Sequence, residues 1–175
     1  MADRVVTYLP ADAIAKRVAE LGATITAAGP GEKPIVVICV LKGSVLFFAD
    51  LVRHIDLPIN LVFLGVASYG GATESSGAVR LTHDLTIDIQ GRDVLIVEDI
   101  VDTGLTMSYL LHNLESRGPK SVAVCTLLHK PARQKIAVPL TWVGFTIEDV
   151  FVVGYGLDYE ERYRNLPYIG VMHFD

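Results

Sequence analysis

Three long apolar stretches constrain the fold of this chain more than any other feature. They occupy residues 35–41, 94–97 and 122–128, and hydrophobic residues follow one another there with little interruption. A strand with one solvated face would alternate apolar and polar residues, so these stretches predict strands that are buried on both faces. Helices are predicted between them, at residues 10–28, 45–55 and 104–117. Buried strands that alternate with helices predict an α/β fold around a mostly parallel sheet.

Shorter elements complete the predicted sheet. Further strands are predicted at residues 59–67, 79–85, 142–145 and 150–153. The connection over residues 68–77 is rich in glycine and serine, and loops of that length are often functional. Because 175 residues without a repeat or a linker suit one core, we expect a single domain over residues 1–175.

Composition excludes several classes of protein. The chain is 51% hydrophobic and carries a net charge of −5, so it lacks both the signature of disorder and the basic surface of a protein that coats nucleic acid. Cys39 and Cys125 each lie in an apolar stretch, which predicts buried free thiols. The first eight residues lack the apolar core of a signal peptide, and no apolar run approaches the roughly 18 residues of a membrane helix. We therefore expect a reduced, cytoplasmic protein.

The most informative segment is residues 94–107, VLIVEDIVDTGLTM. Four apolar residues lead to Glu98 and Asp99, Asp102 follows, and Thr-Gly-Leu-Thr opens a helix. Ligands of α/β sheets bind outside the carboxyl ends of the strands, where the two adjacent acids lie. The amides at a helix N-terminus bind anions, and Gly104 lets the backbone approach a phosphate closely. The segment therefore predicts a site for an anionic ligand.

Carboxylates beside a phosphate site would repel an anionic ligand, so a further feature must reduce this repulsion. Either a divalent cation bridges them, or the acids face a hydroxylated part of the same molecule. A sugar phosphate satisfies both demands. The ordinary alternative is an acidic strand end followed by a threonine N-cap, with Asp102 exposed, but so many features within 14 residues favour the binding site.

The segment resembles the 5-phosphoribosyl 1-pyrophosphate (PRPP) signature of the type I phosphoribosyltransferases, in the form typical of the hypoxanthine-guanine branch. The likeness covers nearly the whole chain. Residues 41–44 (LKGS) are similar to the family's pyrophosphate loop, and residues 151–158 (FVVGYGLD) to its base-stacking segment. The chain departs from the family at Leu105, where animal relatives carry a lysine. It also departs at Gly156, where alanine is usual and where we expect a slight loosening.

This resemblance implies a fold and a reaction. The fold is the α/β type I phosphoribosyltransferase fold, with helices flanking the sheet and a small hood formed by the terminal segments. The reaction transfers the phosphoribosyl group from PRPP to N9 of hypoxanthine or guanine, giving IMP or GMP and pyrophosphate, with Mg²⁺ as cofactor. The partners are small molecules rather than nucleic acid or membrane, and the assembly is a homodimer or homotetramer.

The resemblance also assigns roles to individual residues. Asp102 is the general base that accepts the proton of purine N7. Glu98 and Asp99 hold the ribose hydroxyls, which requires the strand pleat to break so that both reach the sugar. The phosphate lies against the turn formed by Thr103, Gly104, Leu105 and Thr106.

The remaining implied roles concern pyrophosphate, metal and purine. Pyrophosphate contacts are implied for Lys42, Gly43 and Arg164, with a cis peptide between Leu41 and Lys42. Purine contacts are implied for Lys130, Phe151, Val152 and Asp158, with Lys130 donating to the 6-oxo group. Metal contacts are implied for Glu98, Asp99 and Asp158. Ser68 and Tyr69 open a mobile loop over residues 68–77 that closes over the reaction.

Two alternatives remain open at the level of sequence. A xanthine-guanine phosphoribosyltransferase would keep the carboxylate of Asp102, so only the base preference distinguishes it. A regulator that senses PRPP and binds nucleic acid would need a basic face and no general base. The net charge of −5 and the presence of Asp102 disfavour the regulator.

Overall fold

The structure is a computed structural model that describes residues 4–29, 33–69 and 78–174. Nine strands and three helices are present in this part of the chain. In order they are β1 (Arg4–Leu9), α1 (Ala11–Ala28), β2 (Ile35–Leu41), α2 (Val45–Val52), β3 (Ile59–Tyr69), β4 (Ala78–His83), β5 (Asp93–Val101), α3 (Leu105–Glu115), β6 (Ser121–His129), β7 (Trp142–Thr146), β8 (Val152–Val153) and β9 (Ile169–His173). A single turn of 3₁₀ helix, Pro131–Arg133, follows β6.

The main sheet has six strands in the order β4-β3-β2-β5-β6-β7. Every neighbouring pair is parallel except β3 and β4, which are antiparallel. The predicted α/β fold around a mostly parallel sheet is therefore confirmed. The three apolar stretches lie in β2, β5 and β6 at its centre, because only central strands are covered on both faces.

Two hydrophobic clusters cover the two faces of this sheet. Val37 and Cys39 of β2 join the cluster that includes α1 and α2, whereas Val36, Ile38 and Val40 join the cluster that includes α3. This alternation is what a strand buried on both faces requires.

The predicted buried thiols are confirmed as well. Cys39 and Cys125 are both unbridged and fully buried. Burial raises the pKa of each thiol to about 12, and for Cys39 the nearby carboxylates of Glu98 and Asp99 add to the effect. No helix in the described part of the chain is long and apolar enough to cross a membrane.

A second sheet of three antiparallel strands, β1-β9-β8, joins the two ends of the chain. This is the hood expected from the resemblance. The strand predicted at residues 150–153 is shorter than expected and comprises Val152 and Val153 only.

Two strand ends differ from the prediction. Strand β3 runs to Tyr69 because Ser68 and Tyr69 pair with Val79 and Ala78 of β4, so these two residues belong to β3 and not to the predicted loop. Residues 70–77 of that predicted loop lie outside the described residues. Strand β5 extends through Glu98 and Asp99 to Val101, beyond the predicted end at residue 97.

Candidate active site

A cavity of about 340 Å³ opens at the carboxyl ends of β2 and β5. Four separate stretches of the chain supply its walls: the end of β2 with the loop after it, Val66 of β3, the continuous segment from the end of β5 to the start of α3, and the segment before β9. Nine of the predicted site residues line it: Gly43, Glu98, Asp99, Asp102, Thr103, Gly104, Thr106, Asp158 and Arg164.

The carboxyl-terminal end of β5 forms one wall of the cavity. Pairing with β2 ends at Val97, whereas pairing with β6 continues to Val101. The last residues of β5 therefore have a neighbouring strand on one side only. Glu98 and Asp99 both line the cavity, although the strand continues through them.

Glu98 and Asp99 form a buried acidic pair. Glu98 is 7% exposed, and its Oε1 accepts hydrogen bonds from Ser44 Oγ at 2.9 Å and from the Asp99 amide at 3.1 Å. Burial, together with the neighbouring carboxylate of Asp99, raises the pKa of Glu98 well above its usual range. Burial also raises the pKa of Asp99. Both groups therefore favour a ligand that offers hydroxyl donors or positive charge.

Ser44 is a contributor that the sequence analysis missed. Its side chain is fully buried, and its hydroxyl accepts from the Asp99 amide at 3.0 Å while donating to Glu98. It thereby connects the loop after β2 to the acidic pair. The LKGS motif was the available signal, but a serine before a helix is ordinarily interpreted as a cap. Here its side chain forms no cap hydrogen bond.

The turn before α3 has the geometry of an anion-binding site. Gly104 has φ +83°, and a Cβ at this position would lie 2.3 Å from the carbonyl oxygen of Ile136. The Thr103 carbonyl accepts from the amides of Lys135 and Ile136, which fixes the turn. The first amides of α3 have no partner within the helix, and amides in this position bind anions. The Leu105 amide donates to the Thr103 hydroxyl at 3.4 Å, a long hydrogen bond that an anion would replace. Leu105 is outside the cavity lining.

Arg164 lines the same cavity as this turn. It pairs with Asp158 through Nη2 at 2.9 Å and donates from Nη1 to the Gly156 carbonyl at 2.7 Å. Its Nε is buried and has no hydrogen-bond partner. A buried donor without a partner is costly, so this nitrogen is suited to bind an anion in the cavity.

The loop after β2 approaches the acidic pair closely. The peptide between Leu41 and Lys42 is cis, as the resemblance implied. A Cβ at Gly43 would lie 1.8 Å from Asp99 Oδ2, so a larger residue there would require the Asp99 side chain to move. The side chain of Lys42 is outside the cavity lining, and its Nζ pairs with Glu161 at 3.0 Å on the surface.

The expected loosening at Gly156 is wrong. Gly156 has φ +101°, and a Cβ would lie 2.0 Å from the Gly43 carbonyl oxygen. Its backbone also exchanges two hydrogen bonds with Arg164. The glycine therefore permits a tight contact between two parts of the site.

The residues with implied purine contacts lie outside the lining of this cavity, except Asp158. Lys130 is 5% exposed and donates from Nζ to the Val150 carbonyl at 2.8 Å, which excludes a surface lysine. Val152 is buried in β8. Phe151 is 44% exposed, as a stacking platform requires, and its ring contacts Tyr159 edge-on at 5.8 Å between centroids.

Asp102 lines the cavity, and ion pairs of Arg133 with Asp102 and Asp149 connect it to the region of Lys130. Its Oδ1 is buried without a hydrogen bond, and Arg133 Nε is 3.5 Å away. Lys130 is tied to the same region, because its amide donates to the Val101 carbonyl at 3.0 Å. Arg133 carried no signal in the sequence, since a lone arginine after a strand is ordinarily a surface residue.

The described residues contain no group of three or more His, Cys, Asp or Glu side chains that could hold a metal ion by itself. Asp158 already accepts from Arg164 and from the Glu161 amide, and Asp99 accepts from the Ile100 amide. The carboxylates of Asp99 and Asp158 still suit Mg²⁺, because this ion is usually held by one or two carboxylates together with substrate phosphates and water.

Comparison with known proteins agrees with this geometry. The family model for the phosphoribosyl transferase domain matches residues 5–160. A hypoxanthine-guanine phosphoribosyltransferase of Mycobacterium avium is 54% identical over 169 residues, covering 94% of this chain and 83% of the relative. One from Bacillus subtilis is 51% identical over 159 residues, covering 91% and 88%. The crystal structure of a hypoxanthine phosphoribosyltransferase from Staphylococcus aureus has a TM-score of 0.91 at 45% identity, covering 96% of this chain and 91% of that one. The chain therefore belongs to the phosphoribosyltransferase family, among the hypoxanthine-guanine phosphoribosyltransferases.

Proposed function

We propose that this chain transfers the 5-phosphoribosyl group of PRPP to N9 of hypoxanthine or guanine, releasing pyrophosphate and forming IMP or GMP. The observation that carries the proposal is the composition of one cavity. It combines a buried acidic pair, an anion-binding turn and the unpartnered Arg164 Nε. PRPP offers a matching group to each of these: ribose hydroxyls, a 5-phosphate and a pyrophosphate.

The substrate's phosphoribosyl part lies along β5 and α3 in this proposal. The amides of Thr103, Gly104, Leu105 and Thr106 bind the 5-phosphate, and Glu98 and Asp99 accept hydrogen bonds from the ribose hydroxyls. Because the uncharged forms of these acids are favoured by burial, hydroxyls are better partners for them than a bare phosphate.

Pyrophosphate leaves toward the opposite wall. Gly43 and Arg164 line that wall, with the amide of Gly43 and the Nε of Arg164 as donors. Lys42 reaches the same group only if it exchanges its surface pair with Glu161 for the substrate. Asp99 and Asp158 are the best candidates to hold Mg²⁺, with Glu98 more deeply buried behind them. The ion supplies charge neutralisation to the leaving pyrophosphate.

The purine occupies the region beyond Asp102. Phe151 stacks on the ring, the backbone of Val152 binds the base edge, and Lys130 donates to the 6-oxo group. Asp102 accepts the proton of N7 as N9 attacks the anomeric carbon, and positive charge develops on the ribose beside the acidic pair. The predicted loop that begins near Ser68 and Tyr69 excludes water during this step.

We also propose that residues 1–175 act as one unit, as a homodimer or homotetramer in the cytoplasm. The hood supports the first point, because it pairs strands from both ends of the chain.

Initial rates with PRPP and each of hypoxanthine, guanine, xanthine and adenine test the proposed function. We expect nucleotide and pyrophosphate in equal amounts with hypoxanthine or guanine, little product with adenine, and loss of activity in EDTA that Mg²⁺ restores. Preference for xanthine over hypoxanthine would favour the xanthine-guanine alternative. Absence of product with all four bases would contradict the proposal.

A further inference from the structure

The segment between β8 and β9 has an unusual backbone. Four of its non-glycine residues have positive φ: Tyr155 (49°), Glu160 (50°), Glu161 (61°) and Tyr163 (75°). Side chains other than glycine rarely adopt this conformation, and it persists where the surrounding structure holds it in place. The same segment carries Asp158 and Arg164, so whatever holds it also positions those two side chains.

Tyr155 ties this segment to α2. Its side chain is buried, with 7% exposed, and its hydroxyl donates to Asp50 Oδ2 at 2.5 Å. The other carboxylate oxygen of Asp50 pairs with Arg53. Burial and the Asp50 carboxylate raise the pKa of Tyr155, which keeps its hydroxyl protonated as a donor. The Tyr155 amide donates to the Leu166 carbonyl at 2.9 Å, so both ends of the residue are held.

The next residue connects this tie to the cavity. Gly156 donates from its amide to the Arg164 carbonyl at 2.9 Å, and its carbonyl accepts from Arg164 Nη1 at 2.7 Å. It also packs against the Gly43 carbonyl so tightly that a Cβ would not fit.

Gly43 immediately precedes Ser44 and the start of α2, which carries Asp50. The contacts therefore form a closed ring: Gly43 leads along α2 to Asp50, Asp50 binds Tyr155, Tyr155 is bonded to Gly156, and Gly156 touches Gly43.

We infer that Tyr155 and Asp50 are positioning residues whose hydrogen bond holds Gly156 against Gly43, and so sets the spacing between the Gly43 amide and Arg164. The inference rests on the proposed function, in which those two groups receive the pyrophosphate of PRPP. A residue that only stabilised the fold would affect all substrates alike. A residue that sets this spacing affects pyrophosphate binding selectively.

The test uses Tyr155→Phe in the full chain, with KM for PRPP, KM for hypoxanthine and kcat measured at saturating Mg²⁺. Calorimetric titration with inorganic pyrophosphate gives a readout that does not depend on turnover. We expect KM for PRPP and Kd for pyrophosphate to rise about five- to tenfold, the range for loss of one buried hydrogen bond. KM for hypoxanthine and kcat should stay within about twofold, less than that loss would cause.

Matched variants separate positioning from packing. Asp50→Asn keeps an acceptor for the Tyr155 hydroxyl and should bind pyrophosphate nearly as the wild type does. Asp50→Ala should weaken pyrophosphate binding. The double variant Tyr155→Phe/Asp50→Ala should bind pyrophosphate no more weakly than whichever single variant binds it less tightly. Tyr109→Phe, at a half-buried tyrosine of α3 outside the cavity lining, is the control and should bind unchanged. Thermal midpoints check that each variant folds.

Three outcomes decide the matter. Selective loss of pyrophosphate binding in Tyr155→Phe supports the inference. Unchanged binding, or an equal change in both KM values, overturns the inference and leaves the proposed function intact. A wild-type chain that binds neither pyrophosphate nor PRPP overturns the proposed function and the inference together.

Discussion

At the scale of one residue, the burial of Glu98 in the site makes the folded state less stable when its carboxyl group is charged. Its hydrogen bonds from the Ser44 hydroxyl and the Asp99 amide come from neutral donors, whereas burial and the neighbouring Asp99 carboxylate raise its pKa. The folded state therefore binds the Glu98 proton more tightly than the unfolded chain does. Because a raised pKa favours the protonated folded state, stability falls as pH rises above the unfolded pKa of about 4.3 toward the folded pKa.

Glu98→Gln should raise the thermal midpoint at pH 8, because the amide keeps the acceptor oxygen for Ser44 and never carries a charge. The expected rise is about 2–4 °C for each kcal/mol gained in a chain of this size. At lower pH the difference should shrink, because the raised pKa favours the protonated form of wild-type Glu98. Glu115→Gln, on the exposed face of α3, is the control. A lower midpoint at pH 8 would argue that Glu98 is stabilised as a carboxylate.

Lys130 is a second residue whose burial has a consequence. A buried ammonium without a purine is held by the Val150 carbonyl and lies 3.9 Å from Asp149. Lys130→Met keeps the length and removes the donor, so the ratio of kcat/KM for hypoxanthine to that for adenine should fall by about 10- to 100-fold, as for a charged hydrogen bond. Lys120→Met, an exposed lysine, should leave the ratio unchanged. An unchanged ratio in Lys130→Met would show that another group of the protein recognises the substituent at position 6 of the purine.

At the scale of elements, local pattern predicted most of the fold. The central strands and the helices follow from their own apolar residues, so β2, β6 and α1 lie close to the predicted ranges. Strands β1 and β9 were not predicted as strands, because β1 has largely exposed residues and pairs with a partner about 165 residues away along the chain. The end of β5 likewise depends on how far its neighbour β6 continues.

The site divides in the same way. Glu98, Asp99 and the turn at Gly104 are contiguous in sequence, so a motif could predict them. The contacts of Gly156 with Gly43, and of Arg133 with Asp102, join distant stretches and exist only after folding. No local pattern carries such contacts, which is why Gly156 was misjudged.

The turn before α3 offers a test with a matched control. Gly104 and Gly91 both have positive φ, but a Cβ at Gly91 would meet nothing within 4 Å, whereas one at Gly104 would strike Ile136. Gly91→Ala should therefore cost only the backbone conformation, about 1–2 kcal/mol of unfolding free energy. Gly104→Ala should lower the free energy of unfolding by about 1–3 kcal/mol more because of the steric clash, as measured by urea unfolding. It should also weaken PRPP binding, as measured by calorimetry. Equal costs and unchanged PRPP binding would contradict the described turn.

At the scale of the whole molecule, the parallel sheet explains why one cavity draws on four stretches of chain. The carboxyl ends of β2, β5 and β6 meet at one edge of the sheet. Lys130, which follows β6, donates to the Val150 carbonyl and so connects this edge to the segment that leads into the hood strand β8. In the proposed function, the phosphoribosyl group lies along β5 and α3 and the purine lies near Lys130. Asp102 would then lie where the two parts of the substrate meet, and its Oδ1 is buried and accepts no hydrogen bond.

The central claim is that Asp102 acts on the purine and not on PRPP, and Asp102→Asn tests it most directly. The amide keeps shape and hydrogen bonding but removes basicity, so kcat should fall about 10²–10⁴-fold, or roughly 3–5 kcal/mol. PRPP affinity by calorimetry should change little, because the acidic pair and the turn remain. Asp12→Asn, on the exposed first turn of α1, is the control for an aspartate outside the site. A variant that keeps kcat within about threefold, less than loss of a general base causes, while its PRPP affinity collapses would show that Asp102 binds PRPP and would contradict the account.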